Sequence, residues 1–499
     1  MEGLLHGFAT IVAPVNLLFC FIGALVGTLV GVLPGLGPTA SIAILLPLTI
    51  GLDPVTAIIM IAGIYYGASY GGSTTAILVN IPGEAQSVVT CIDGYKMAQN
   101  GRAGAAIGIS AIGSFIAGTL GAVAIGLVSM PLIDFAIRFG PPEYFALMLL
   151  GFVVLLVLAR GSVVKSMIMI LTGLMLSTVG QDVITGETRY AFDVPELVDG
   201  ISIVTIAMGI FGMGEVLYNL EDLSRRPVQQ VPLRDLLPSR EEWRRSTMPV
   251  ARGSVLGFLV GLLPGGGATL ASFVSYALEK KLARDPSQFG QGAIEGVAGP
   301  EAANNAGATG SFIPLLTLGL PGNPVTAILL GALVLYGVTP GPLMIQTNPE
   351  IFWGVIASMY VGNVMLLLLN LPLVGLWVQL LRVPYRLLFP PLVLFMLIGS
   401  YSINNNLFDV GALLVFGLVG YLLRKLDFEP APLILAFVLG GPIETNLRQS
   451  LMMGHGEWGY IATRPIASTI LLVALAIAVL PLFGAVRERL SLARAVNEL

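Results

Sequence analysis

The chain has 499 residues, of which 55% are hydrophobic and only 11% charged, with a net charge of −4. Its mean hydropathy is +0.87 and its pI is near 5.4. So little polar side chain cannot cover a water-soluble surface, and an acidic balance gives no basic face for nucleic acid. The only cysteines are Cys20 and Cys91 and the only histidines His6 and His455, which excludes a disulfide framework and a zinc cluster. The class that remains is an all-α polytopic membrane protein in a lipid bilayer.

A bilayer crossing needs about 20 mostly apolar residues. On that criterion the first part of the chain predicts spans near 16–33, 54–81, 105–131, 142–159, 164–180 and 200–220. Glu2 stands where a cleavable signal peptide would carry positive charge, so none is expected. The loop at 181–199 sets Asp182, Glu187, Asp193, Glu196 and Asp199 against the single Arg189 and suits the outer side. The stretch 221–252 carries Arg225, Arg226, Arg234, Arg240, Arg244, Arg245 and Arg252, which assigns it to the cytoplasm. Beyond it, spans are expected near 251–263, 307–320, 324–338, 351–381, 387–401, 407–423, 431–441 and 466–486. Arg487 and Arg489 place the C-terminus in the cytoplasm. Several spans are too short or too rich in Gly and Pro to cross as straight helices, so the expectation is about 10–12 transmembrane helices plus re-entrant segments.

The two sides of the polar stretch share a signature. Gly31-Val32-Leu33-Pro34-Gly35-Leu36-Gly37-Pro38-Thr39 recurs as Gly261-Leu262-Leu263-Pro264-Gly265-Gly266-Gly267-Ala268-Thr269. Asn80-Ile81-Pro82-Gly83 has a counterpart in Gly319-Leu320-Pro321-Gly322. This predicts a first transmembrane repeat over 1–220, a cytoplasmic linker over 221–252 and a second repeat over 253–499. Charges flanking 142–159 and 387–401 favour opposite directions for those spans, and hence inverted halves.

Pro-Gly pairs break helices, and in lipid a broken helix persists only where protein or water satisfies the freed backbone. Paired breaks in two halves mark a cavity of the kind secondary transporters place at the midplane. Asp53 is the only charged residue from Gly31 to Gly83, and no Lys or Arg lies between Asp285 and Pro349. An anion bound there would rest on backbone N–H groups, helix N-termini, hydroxyls and amides. The candidates are Gly35, Gly37, Pro38, Thr39, Ser73, Thr74 and Asn80 in the first half. In the second they are Gly265, Gly266, Gly267, Thr269, Gly322 and Asn323. Glu301, Asn304 and Asn305 share neighbouring helical faces, and an intramembrane carboxylate is costly enough to suggest a pathway. They are the candidate site for a coupling cation, Na+ or H+, with no other cofactor expected. An interhelical hydrogen bond or a helix cap is the simpler alternative for Glu301.

With these residues in place, the sequence resembles the TctA-type permeases, the large membrane subunits of tripartite tricarboxylate transporters. The likeness runs through Gly31–Thr39, Gly63–Ser73, Asp93–Tyr95, Ser275–Glu279, Phe289–Val297, Pro300–Ala306, Pro314–Gly322 and Leu439–Arg448. It implies an importer of tricarboxylates or related carboxylates in a bacterial inner membrane. It also implies two partners: a small four-helix membrane subunit and a periplasmic solute-binding protein. Import would be driven by an ion gradient, which agrees with the lack of a nucleotide-binding Gly-x-x-x-x-Gly-Lys-[Ser/Thr] loop. The outer loops Gln181–Asp199 and Gly454–Arg464 are the expected docking points for the binding protein. Two rival readings are a passive anion channel and an intramembrane serine hydrolase. The hydrolase rests on Gly67-Ala68-Ser69-Tyr70-Gly71, a short pattern that needs a nearby base to matter.

Overall fold

The computed structural model describes residues 2–33, 36–158, 162–221, 235–263, 267–381, 383 and 385–479. The chain folds into two compact units interleaved in sequence, one of Met1–Ala136 with Ser202–Pro430, the other of Ile137–Ile201 with Ala431–Leu499.

The larger unit opens with α1 (Glu2–Ile11), α2 (Pro14–Val32), α3 (Pro38–Leu45), α4 (Pro54–Val79), α5 (Val88–Gln99) and α6 (Ala103–Ala136). Proline stands at the start of α2, α3 and α4, where its missing N–H has no helical partner to lose. Asp53, the lone charge of that stretch, is the N-cap of α4 and accepts from the Val55 N–H at 3.0 Å. At 34 residues, α6 is about 50 Å long, well beyond the hydrocarbon core of a bilayer.

The smaller unit holds α7 (Pro141–Leu158), α8 (Val163–Ser177) and a hairpin of β1 (Gly180–Gln181) with β2 (Thr188–Arg189). Its strands are antiparallel, with Gly180 opposite Arg189 and Gln181 opposite Thr188. The chain then returns to the larger unit through α9 (Ile203–Ala207), a π-helical stretch Met208–Met213 and α10 (Gly214–Asn219).

The second passage of the larger unit contains α11 (Arg240–Gly261), α12 (Gly267–Leu282), α13 (Glu295–Gly310), α14 (Pro324–Leu335) and α15 (Met344–Thr347). It ends with α16 (Pro349–Asn370), α17 (Val374–Leu380), α18 (Tyr385–Asn404) and α19 (Leu407–Lys425). The smaller unit closes with α20 (Ala431–Met453), α21 (Gly459–Thr463) and α22 (Pro465–Val479). Among the described residues, six helices are long and apolar enough to cross a membrane, and shorter apolar helices accompany them. The fold is therefore the all-α polytopic one expected.

Three expected spans have different bounds. The span at 251–263 begins eleven residues earlier, with α11 at Arg240, opened by a capping box in which Glu242 N–H donates to Ser239 Oγ (3.3 Å) and Ser239 N–H to Glu242 Oε2 (2.6 Å). The span at 307–320 begins twelve residues earlier, with α13, and ends in a π turn at Pro314–Leu318. The span at 351–381 is two helices, α16 and α17, divided at Pro372, which has no N–H to donate.

Two helix pairs form the frame of the larger unit. An added Cβ at Gly23, Gly27 or Gly31 of α2 would overlap the carbonyl oxygens of Met60, Ile64 or Ala68 in α4. The same test at Gly253, Gly257 and Gly261 of α11 meets the carbonyls of Gly299, Ala303 and Gly307 in α13. Both pairs use glycine every fourth residue, the spacing that keeps one helix face against its neighbour. The α2 and α11 glycines differ by 230 positions, their α4 and α13 partners by 239.

Candidate functional site

Each pair ends in the same way. Beyond α2 the chain breaks and restarts as α3 at Pro38; beyond α11 it restarts as α12 at Gly267. Helix α4 ends at Asn80 with φ 58° and ψ 35°, and the π turn after α13 ends at Gly319 with φ 68° and ψ 23°. Both residues occupy the left-handed region that stops a helix. Two residues on, Pro82-Gly83 and Pro321-Gly322 lead into extended Glu84 and Asn323. A Cβ on Gly37 would stand 3.4 Å from the Cβ of Glu84, and one on Gly267 would stand 3.4 Å from the Cβ of Asn323.

The tips then exchange neighbours across the sequence. Glu84 lies beside Asn304 of α13, while Asn323 lies beside Tyr65 of α4. By the glycine ladder, Tyr65 and Asn304 are equivalent, each one residue past a laddered carbonyl. Helix α12 is tied to the first tip by Ser272 Oγ donating to the Gln86 carbonyl at 3.0 Å, and α14 packs on α3.

Of the expected anion-binding residues, Pro38 and Thr39 form the first turn of α3 and Gly267 and Thr269 that of α12, with both threonines half-buried. Gly37 and Asn323 adjoin those turns. Gly322 packs near the carbonyls of Gly261 and Leu263. Thr74 is buried and lines a small cavity with Tyr70, Ser110 and Asn370. Asn80 is exposed, in a surface hollow with Cys91, Tyr95 and Lys96, and is not brought to the others. Gly35, Gly265 and Gly266 lie outside the described residues.

The expected cation residues divide. Glu301 is held by three hydroxyls: Ser73 donates to Oε2 at 2.6 Å, Ser110 to Oε2 at 3.1 Å, and Thr90 to Oε1. Asn305 Nδ2 donates to Ser114 Oγ at 2.6 Å. Asn304 is fully buried, and among the described residues neither end of its amide has a hydrogen-bond partner. Sequence reasoning missed its neighbour Glu84, whose carboxylate oxygens are buried and likewise unpartnered. Gly72 makes room for that carboxylate, since a Cβ there would come within 2.9 Å of its carboxyl carbon.

Other motif residues build structure. Asp93 is fully buried and its Oδ1 accepts the backbone N–H groups of Gly290 (2.8 Å), Gly292 (2.8 Å) and Ala293 (2.9 Å), while Tyr276 Oη donates to Oδ2 at 2.8 Å. Glu279 pairs with Arg252, and Glu295 with Arg245, each through two hydrogen bonds. In the smaller unit, Arg448 reaches Asp182 at 2.8 Å and Glu444 at 2.8 Å, and Arg189 reaches the same two carboxylates. Ser69 donates to the Tyr65 carbonyl at 3.1 Å and accepts from Gln86 Nε2 at 3.0 Å. Gly67 and Gly71 on either side of it lie against α2, so helix packing accounts for the Gly-x-Ser-x-Gly match. His6 faces Glu350 at 3.9 Å, and His455 lies in the turn after α20.

The family model described as the tripartite tricarboxylate transporter TctA family matches residues 17–435. An "Uncharacterized 52.8 kDa protein in TAR-I ttuC' 3'region" of Agrobacterium vitis is 54% identical over 97% of this chain and 96% of its own length. An "Uncharacterized protein in TAR-II ttuC' 3'region" of the same organism is 54% identical over 47% of this chain and 96% of its own length. No solved structure matches. With that family model matched over most of its length, this chain belongs to the tripartite tricarboxylate transporter TctA family.

Proposed function

We propose that the chain is the permease of a secondary importer of tricarboxylates or related carboxylates, working by alternating access in a bacterial inner membrane, with its C-terminus in the cytoplasm. It works with a small four-helix membrane subunit and with a periplasmic solute-binding protein that docks on Gln181–Asp199 and Gly454–Arg464. The substrate leaves chemically unchanged. Uptake is coupled to a Na+ or H+ gradient through the buried polar groups around Asn304 of α13, whose amide is unpartnered among the described residues. The substrate carboxylates rest on the first turns of α3 and α12, around Gly35–Thr39 and Gly265–Thr269, with the Asn323 amide as a further donor.

One observation carries this reading: the two broken-helix tips exchange neighbours around buried, unpartnered polar groups. Helix N-termini supply partial positive charge to an anion, and paired discontinuous helices are how secondary transporters seat a substrate. Two related halves with inverted topology would produce such an exchange.

The test is uptake of labelled carboxylates into proteoliposomes carrying both membrane subunits, with and without the binding protein. Accumulation above equilibrium, dependent on an imposed Na+ or pH gradient and raised by the binding protein, is expected. Equilibration without accumulation would identify a channel. Full-rate accumulation by this chain alone would overturn the three-part assembly.

A further inference from the structure

We propose that Glu84, with Asn304, is the seat of the coupling charge, a proton or a Na+-sized cation, while Glu301 is held by hydroxyls and does not exchange it. The inference rests on the transport reading above and deepens it.

Glu84 is 8% exposed and Asn304 fully buried. Among the described residues, neither carboxylate oxygen of Glu84 and neither end of the Asn304 amide makes a hydrogen bond of good geometry, although the Gln86 and Asn304 amides adjoin the carboxylate. Glu84 is close enough to Glu301 for the two carboxylates to interact electrostatically. A carboxylate this deep is strongly destabilised unless a positive charge or several donors compensate it. Glu301 has its donors in Ser73, Thr90 and Ser110; Glu84 has beside it the neutral amides of Gln86 and Asn304 and the phenol of Tyr65, none of which carries a compensating charge. A proton on Glu84 would donate to Asn304 Oδ1, and a Na+ ion would take oxygens from both side chains, as hard cations do.

The position suits coupling as well as binding. Glu84 belongs to the tip of the first broken pair and Asn304 to a helix of the second, so an ion between them joins the two. The equivalent tip residue, Asn323, is neutral, and its Oδ1 already accepts the Thr326 N–H at 3.0 Å. Of the two matching positions, only one can take a charge.

The experiment is thermal unfolding of the purified full-length chain in detergent, in Na+ against K+ at constant ionic strength, and over a range of pH. A ligand bound only by the folded protein raises its midpoint. Wild type is expected to gain stability with Na+ or with falling pH, which tells the cation from the proton. Glu84→Gln should lose that dependence, and Glu301→Gln should keep it. Should Glu84→Gln fail to fold, Gly72→Ala displaces the carboxylate and is expected to weaken the half-saturating Na+ concentration, or shift the titration, severalfold. No response in wild type, an unchanged response in Glu84→Gln, or an unchanged midpoint in Gly72→Ala would each overturn the assignment. Carboxylate uptake is scored separately. Lost ion response with normal coupled uptake defeats this site alone, whereas a normal ion response without any carboxylate uptake defeats the transport reading alone.

Discussion

Glu84 and Asn323 stand 239 residues apart yet share one backbone conformation, φ −151° and ψ 166° against φ −158° and ψ 170°. Each also closes a local loop with a hydroxyl three residues on. Glu84 N–H donates to Ser87 Oγ at 3.3 Å, and Asn323 N–H to Thr326 Oγ1 at 3.0 Å. The local frame is matched, and the side chains it presents differ by one charge.

The first prediction concerns the two helix starts. Gly37 has φ −73° and an added Cβ would meet only ordinary contact, so Gly37→Ala should fold normally. Gly267 has φ 57°, so Gly267→Ala should lower stability by about 1–2 kcal/mol. Gly37→Trp and Gly267→Trp should both abolish carboxylate uptake, and Gly267→Trp should in addition carry the stability loss of about 1–2 kcal/mol that its positive φ imposes on any side chain. Normal uptake by both tryptophan variants would remove the substrate from this place.

A second prediction tests the helix pairs. Gly27→Ala and Gly257→Ala each force backbone apart at a laddered carbonyl and should cost about 1–3 kcal/mol. Because the pairs match, the two losses should be similar. Thermal midpoints in detergent measure this, and a large loss in one with none in the other would contradict equivalent packing.

The Asp93 staple gives a third. Asp93→Asn removes a charge that three backbone N–H groups and a phenol address, and hydrogen bonds to a charged group are worth about 1.5–3 kcal/mol each. The variant should unfold at lower temperature, with faster hydrogen exchange at Gly290, Gly292 and Ala293. Unchanged exchange there would show that the loop is held by other contacts.

A fourth uses pH. The N–H groups of Thr185 and Ile184, with Arg448, hold the Asp182 carboxyl at about 2, below its ordinary 3.8. A depressed folded pKa contributes stability that is present above the unfolded pKa and lost as pH falls through the folded one. Between about pH 4 and pH 2, wild type should therefore lose stability that Asp182→Asn has already lost. Melting curves of the two should converge as pH falls, and parallel curves would refute the assignment.

Composition and proline placement made the fold legible. The Leu-Pro-Gly and Pro-Gly pairs located both tips, and the Ser239–Glu242 capping box that extends α11 is written in the sequence as well. Glu84 was not legible. The stretch free of other charge closes at Gly83, so Glu84 reads there as the first polar residue of a loop. Its burial depends on α13, more than 200 residues away. Glu301 was found as an intramembrane carboxylate, but the hydroxyls that hold it come from α4, α5 and α6. No local pattern encodes such partners, because only tertiary packing brings them together.

The glycine ladders also determine where this protein can deform. Sliding α2 along α4, or α11 along α13, by less than a full turn would drive methylene-bearing residues into the carbonyls that glycine now clears. Each pair is therefore a stiff strut, and a movement that opens the site displaces whole struts against one another. The contacts such a movement must break are the exchanged ones, Glu84 with Asn304 and Tyr65 with Asn323. Those four side chains form the seam along which the larger unit would part.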